Sequence, residues 1–279
     1  MSLVTRPHPT EKTLEAIRTY VEKLTGFPLA EDKNYLIITR LGHLLDKYDL
    51  HSYEELAKRL HQGNPISLKQ QVIDAVTTQE TSWFRDSIPF EVLQNKIFSE
   101  LSKSTNKELR IWSAGCANGQ EPYSISMIYQ EYIEAYPFRS LGPLEIMATD
   151  ISTTTLNIAK EGVYDDSEIQ RGLTPTRHKK FFQKSKTGWK VKPHLLERVN
   201  FRQQNLLEPY GMLGRFDVVF CRNVLIYFSE ATKQDIISRI ASTLRPGGYL
   251  ILGASESIGD GASRFETVYC RPGILYRRR

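Results

Sequence analysis

Five short apolar runs, at residues 109–114, 144–149, 199–203, 216–221 and 249–252, recur through the later part of a 279-residue chain. Each is separated from the next by sequence of helical character, and this alternation restricts the fold more than any other feature. Strands that alternate with helices pair in parallel, and the helices cover both faces of the sheet. The last two apolar runs, 265–271 and 274–277, are joined by Pro272-Gly273 and predict a terminal antiparallel hairpin. The expected sheet is a parallel core with a reversed edge.

The interval between the second and third runs is too long for a plain crossover. A helix over 152–160 already supplies the return, and about 35 further residues remain, which predicts an inserted subdomain. Within it, residues 181–184 and 189–192 flank Thr187-Gly188 and read as a small β-hairpin. The insert is also basic: residues 163–202 hold ten Lys and Arg against four Asp and Glu. Such a patch attracts any polyanion and does not choose among nucleic acid, acidic protein and anionic membrane.

Residues 10–79 have a helical pattern instead. Leu36, Ile37, Leu41, Leu44 and Leu45 fall at steps of three and four and form one apolar stripe. Ser52 with Glu55 has the spacing of a capping box, and Asn64-Pro65 has the form of a helix start. A small helical bundle accounts for these signals. Lys33, Arg40 and Lys47 recur every seven residues along the second helix and so share a face.

Composition excludes some classes. No run of about 18 uncharged apolar residues occurs, and the first residues lack a secretory h-region, which predicts a soluble, cytoplasmic protein without membrane insertion. Cys116, Cys221 and Cys270 are far apart, with no CxxC or Cys/His cluster, so no metal site is expected and the thiols read as reduced core residues.

Polar residues collect where the strands end. The first strand runs into Gly115-Cys116-Ala117-Asn118-Gly119-Gln120-Glu121, the second ends at Asp150, the third at Asn205-Leu206, and the fourth at Arg222-Asn223. Ligands of open α/β sheets lie beyond the carboxyl ends of the strands, so these groups converge on one crevice. A glycine turn allows close backbone approach to a nucleoside, and a strand-end aspartate suits a ribose diol.

Five ordered motifs then carry a resemblance. They are Thr77-Thr78-Gln79-Glu80-Thr81-Ser82-Trp83-Phe84-Arg85-Asp86, the glycine turn with Glu121-Pro122-Tyr123-Ser124, Ala148-Thr149-Asp150-Ile151-Ser152, Cys221-Arg222-Asn223-Val224-Leu225-Ile226-Tyr227-Phe228, and Leu244-Arg245-Pro246-Gly247-Gly248. Together, over essentially the whole chain, they resemble the chemotaxis receptor glutamate methyltransferases. The resemblance implies a Rossmann-like class I methyltransferase sheet, with an N-terminal helical domain at 1–76, a cofactor-contacting linker at 77–90, and a methyltransferase domain at 91–279 with a β-subdomain at 163–197. It implies S-adenosylmethionine as cofactor, with S-adenosylhomocysteine as product. Gln79, Thr81, Arg85 and Glu121 would contact it, beside Gly115; Asp150 would hold the ribose, Asn205 and Leu206 would flank the adenine, and Arg222 with Asn223 would complete the methionine side. Gln79 stands where the family commonly has asparagine, and Trp83 where it commonly has phenylalanine.

The implied reaction forms glutamyl methyl esters on the cytoplasmic helical domain of chemotaxis receptors during sensory adaptation. A glutamate carboxylate, with a pKa of about 4.3, is ionised at neutral pH and needs no general base to attack a sulfonium methyl. Orientation is then the main requirement, and Arg85 and Tyr227 are the candidates for holding the carboxylate. The resemblance assigns receptor contact to the helical domain, where Lys33, Arg40 and Lys47 would face acidic receptor helices, and in some relatives a receptor C-terminal peptide adds to the β-subdomain. A nucleic-acid methyltransferase would carry an Asn/Asp-Pro-Pro-aromatic turn after the fourth strand, where this chain has Arg222-Asn223-Val224-Leu225. A catalytically silent adaptor is the other alternative.

Overall fold

The structure, a computed structural model, describes residues 8–29, 31–62, 66–103, 108–139, 141–271 and 273–279, with the backbone alone for 260–262. The chain divides into two compact units, residues 8–78 with 227–232, and residues 79–226 with 233–279. No helix among the described residues is long and apolar enough to cross a membrane.

The first unit contains α1 (Glu11–Thr25), α2 (Asn34–Lys47), α3 (Tyr53–His61) and α4 (Ile66–Val76). Thr10 starts α1 by accepting the Thr13 N–H at 3.3 Å, and Gly26, at φ 78°, ends it in the left-handed conformation. The α2 stripe folds inward: Ile37, Leu41, Leu44 and Leu45 are buried in one core with Ile17 and Val21 of α1, while Leu36 is half-buried. Only half of the predicted capping box forms. Ser52 accepts the Glu55 N–H at 3.3 Å, but the Glu55 carboxylate reaches one residue further back, to the His51 N–H at 2.8 Å. Asn64-Pro65 and Pro272 lie outside the described residues.

The second unit opens with α5 (Ile88–Val92), a π turn (Leu93–Ile97) and α6 (Phe98–Leu101). Then follow β1 (Leu109–Ala114), α7 (Gln120–Ala135), β2 (Leu144–Asp150) and α8 (Thr153–Glu161). The insert holds β3 (Val163–Tyr164), α9 (Asp166–Gln170), α10 (Pro175–Phe181), β4 (Phe182–Lys184), β5 (Trp189–Val191) and α11 (Pro193–Leu196). The chain returns to the main sheet through β6 (Val199–Gln203), β7 (Phe216–Cys221), α12 (Glu230–Thr243), β8 (Leu244–Leu252), β9 (Phe265–Cys270) and β10 (Gly273–Arg278).

The main sheet has the order β6-β2-β1-β7-β8-β10-β9. Its first five strands are mutually parallel, and Ile111, Ile146, Val218, Phe220 and Ile251 are buried in its core. The α/β class is as expected, with one correction at the edge. The reversed strand is β10, which runs antiparallel to both β8 and β9, so the outermost strand β9 again points with the core. β8 also starts earlier than its apolar run, because Leu244 pairs with Phe216 and Tyr249 with Val218 while Arg245-Pro246-Gly247-Gly248 bulges out. In the insert the predicted hairpin, β4 with β5, gains a third strand, since β3 pairs antiparallel with β5. Five parallel strands therefore end at one edge of the sheet, and their exits hold the polar residues singled out above.

At the opposite end, Arg110 is fixed by Glu145, whose carboxylate accepts from Nε at 2.6 Å, and by the carbonyls of Leu213 and Arg215. The hydrogen bond from Arg110 and then its charge hold Glu145 below the usual carboxylate range despite partial burial. A depressed folded-state pKa stabilises the fold fully above the unfolded value of about 4.3, and the contribution is lost as pH falls through the folded value. Thermal unfolding of wild type and Glu145→Gln from pH 7 to pH 3 should therefore show a difference in Tm at neutral pH that shrinks below about pH 4.3.

Candidate active site

The exits of β1 and β2 are built as one turn. The N–H groups of Gly115 and Cys116 both donate to the Thr149 carbonyl, at 2.8 and 2.9 Å, which bends the chain away from β1. Gly115 adopts φ 75°, and a Cβ there would lie 2.4 Å from Cγ2 of Val224, so the turn accepts only glycine. Asp150 braces the same turn: Oδ2 accepts the Ala117 N–H at 2.9 Å and Oδ1 the Ser152 N–H at 2.9 Å. The side-chain oxygens of Asn118 and Gln120 are buried beside this turn without a hydrogen-bond partner among the described residues.

Arg222, at the exit of β7, is the electrostatic centre. Its side chain is 1% exposed. Nη1 pairs with Glu121 at 3.0 Å, and Nη2 pairs with Asp86 at 2.9 Å and donates to the Arg85 carbonyl at 2.6 Å. Glu121 is completed by Ser113, whose hydroxyl donates to Oε1 at 2.8 Å. One arginine thus joins β7, the start of α7 and the linker. Its Nε has no hydrogen-bond partner among the described residues.

The linker is held from the other side by the insert. The Trp83 N–H donates to the Arg171 carbonyl at 3.0 Å, and the Trp83 ring packs edge-on against Tyr164 and Phe182. The Tyr164 hydroxyl in turn donates to the Asn118 carbonyl at 2.6 Å, so the insert also buttresses the glycine turn. Gln79 Nε2 donates to the Ser152 hydroxyl at 3.4 Å, and Thr81 is half-buried. Arg85 turns back on its own segment and donates to the Glu80 carbonyl at 3.0 Å.

At the exit of β6, Leu206 is buried and Asn205 closes a turn by accepting the Leu207 N–H at 3.0 Å. Asn223 follows Arg222 in the left-handed conformation, at φ 58°. Burial first, then the charges of Asp150 and Glu121, push the Cys116 thiol up; burial followed by Glu256 and Glu121 does the same at Cys221. Both thiols are neutral and poor nucleophiles.

Gln79, Thr81, Arg85, Gly115, Glu121, Asp150, Asn205, Leu206, Arg222 and Asn223 all lie in the second unit, on the linker or the strand exits. Tyr227 falls in the first unit, where its ring lies 5.2 Å from that of Phe27. The stripe of cations departs from its expected form. Lys33 precedes α2, in the 3-10 turn Glu31–Lys33, and Arg40 is drawn inward to donate to the Val76 carbonyl at 2.8 Å. Lys47 is exposed and donates to Gln71 at 2.7 Å. Two carboxylates went without a role in the sequence reading. Asp86 adjoins Arg85, and Glu256 lies just beyond the fifth strand exit, the exit that the convergence of the first four already pointed to.

The described geometry fits S-adenosylmethionine by the chemistry of its groups. Around one buried guanidinium stand Glu121 and Asp86, with Asp150 and the unpartnered oxygens of Asn118 and Gln120 on the adjoining turn, an excess of acceptors and negative charge suited to a ribose diol, an ammonium and a sulfonium.

Comparison with known proteins agrees over most of the chain. The family described as "CheR methyltransferase, SAM binding domain" matches residues 79–274, and "CheR methyltransferase, all-alpha domain" matches residues 12–77. Among curated relatives, the "Chemotaxis protein methyltransferase Cher2" of Pseudomonas putida is 47% identical, covering 94% of this chain and 96% of its own. "Chemotaxis protein methyltransferase 1" of Pseudomonas aeruginosa is 46% identical with the same coverage, and the "Chemotaxis protein methyltransferase" of Salmonella typhimurium is 33% identical over 88% of this chain and 84% of its own. The second unit thus carries an S-adenosylmethionine-binding methyltransferase domain, and the chain belongs to the CheR methyltransferase family.

Proposed function

We propose that this protein methylates glutamate side-chain carboxylates in the cytoplasmic helical region of chemotaxis receptors, forming methyl esters in sensory adaptation. The observation that carries the reading is the cluster of Arg222 with Glu121, Asp86 and the Arg85 carbonyl, which joins the linker to the strand exits at the cofactor site. The names of the relatives, chemotaxis protein methyltransferases, support the receptor as substrate.

Bound S-adenosylmethionine supplies an electrophilic methyl group. The chain's own residues hold and orient. Asp150, whose carboxylate accepts the Ala117 and Ser152 N–H groups, sets the turn that receives the ribose. Gln79 and Thr81 bound the site from the linker, and Leu206 offers an apolar wall beside Asn205 for the adenine. Glu121 and Arg222, locked to each other, set the charge at the methionine side, with Asn223 next to them.

The acceptor carboxylate is ionised at neutral pH, so no residue has to remove a proton. Arg85 is the group proposed to orient it: the guanidinium rests on the Glu80 carbonyl, a neutral acceptor that a carboxylate outcompetes by a charge-assisted bond. Tyr227 is a second candidate for that placement, tested by its own substitution. Lys33 and Lys47, exposed at the two ends of α2, are proposed to meet acidic receptor helices, and the β4–β5–β3 sheet to receive a receptor C-terminal peptide by strand addition. Arg40 has a structural bond within the helical unit instead.

Transfer of radiolabelled methyl to receptor-containing membranes and to RNA tests the reading. Label on the receptor, released as methanol by mild alkali, is expected; label on RNA alone, or cofactor binding without transfer, contradicts it. Arg85→Ala should lower kcat/KM by roughly a hundredfold, the scale of a lost orienting contact. The wild-type pH–rate profile should have no limb from a general base between about pH 6.5 and 9, and such a limb would refute unassisted attack.

A further inference from the structure

Among the described residues the Glu256 carboxylate accepts four hydrogen bonds, all from backbone N–H groups. Oε2 accepts the N–H of Asn223 at 2.7 Å and of Gly253 at 2.8 Å; Oε1 accepts the N–H of Val224 at 3.0 Å and of Ile226 at 3.2 Å. Four N–H groups fill the acceptor capacity of one carboxylate. Glu256 therefore has little left for a ligand, and whatever it does for the reaction is done through the backbone it holds.

That backbone is the segment leaving β7. It turns at Asn223 through the left-handed region, which asparagine tolerates better than most residues with a side chain, and its N–H groups converge on one point. Without an anion there, they would be left in a half-buried concavity without partners. The segment also presses on the cofactor turn, since the space that a Cβ at Gly115 would need is filled by Val224. On the other flank, a Cβ at Gly253 would lie 2.7 Å from Oε2 of Glu256 and 2.9 Å from the Asn223 nitrogen, so that neighbour is a glycine by necessity.

We infer that Glu256 is a positioning residue for the methyl-transfer site: its carboxylate pins residues 223–226 so that Val224 closes against Gly115 and Asn223 is presented beside Arg222. The inference rests on the reading that this segment borders the S-adenosylmethionine pocket. Glutamine in its place keeps the shape but offers one acceptor oxygen and turns an NH2 toward backbone N–H groups. The segment is released while the sheet beneath it is unchanged.

Titration calorimetry of the full chain with S-adenosylhomocysteine separates positioning from mere stabilisation. Stoichiometry reports the fraction of folded chain, and Kd reports the shape of the pocket. For Glu256→Gln the expected result is a stoichiometry equal to wild type with Kd raised roughly tenfold, the scale of one lost charge-assisted bond. Gly253→Ala, which retains the carboxylate but forces it off the segment, should raise Kd in the same direction. An unchanged Kd in both variants, with or without a reduced stoichiometry, overturns the inference. Asn223→Ala identifies which idea has failed. If it weakens binding while Glu256→Gln does not, positioning by Glu256 is wrong; if it too binds as wild type, the segment does not border the pocket, and the underlying reading falls together with the inference.

Discussion

A charge buried to 1% exposure has to be compensated on the spot, and Arg222 is compensated from two directions at once. Glu121 comes from the first turn of α7, where a carboxylate also suits the positive end of the helix dipole. Asp86 and the Arg85 carbonyl come from the linker. Removing either set would leave the buried guanidinium only partly satisfied, so the linker, α7 and the end of β7 are held in one arrangement by the same guanidinium. The rest of the site depends on that arrangement: with two carboxylates around one cation, the crevice keeps a surplus of negative charge for a ligand bearing cationic groups.

The insert contributes to the site through packing. Tyr164 is buried and donates to the Asn118 carbonyl of the glycine turn, while Trp83 of the linker is wedged between Tyr164 and Phe182. Burial raises the Tyr164 hydroxyl well above its ordinary pKa, so it remains a donor across the accessible pH range. A subdomain that from its charge alone looks like an exposed basic surface is in part a strut. Several of its cations are spent locally: Arg177 pairs with Glu131 at 2.8 Å and lies 3.9 Å from the Phe84 ring, and Lys180 pairs with Glu134.

Much of this was legible in the residue pattern, because it follows from local rules. The parallel strands at 109–114, 199–203 and 216–221 are apolar runs bounded by polar turns, and the α2 stripe follows helical spacing. What was not legible depends on partners distant in sequence. The start of β8 at Leu244 is hidden by Arg245-Pro246-Gly247-Gly248, which reads as a turn and is accommodated as a bulge. The spacing of Lys33, Arg40 and Lys47 suggests a common face, but Arg40 finds the Val76 carbonyl 36 residues away. At the strand exits, position singled out Asp150 and Arg222 but not their bonds, and it missed Asp86 and Glu256: Asp150 braces Ala117, Arg222 binds Asp86 across 136 residues, and Glu256 gathers backbone N–H groups. Such contacts are set by tertiary placement, which no local pattern encodes.

The central claim is that Arg222 locks the linker onto the strand exits before any ligand arrives. Hydrogen–deuterium exchange on the ligand-free chain, comparing wild type with Arg222→Met, tests it most directly. Loss of amide protection across 85–88, with Trp83, the middle of α7 and strand β1 as protected as in wild type, is the predicted result. Equal protection of 85–88 in both proteins would contradict the account, because that part of the linker would then be held by contacts other than this buried charge.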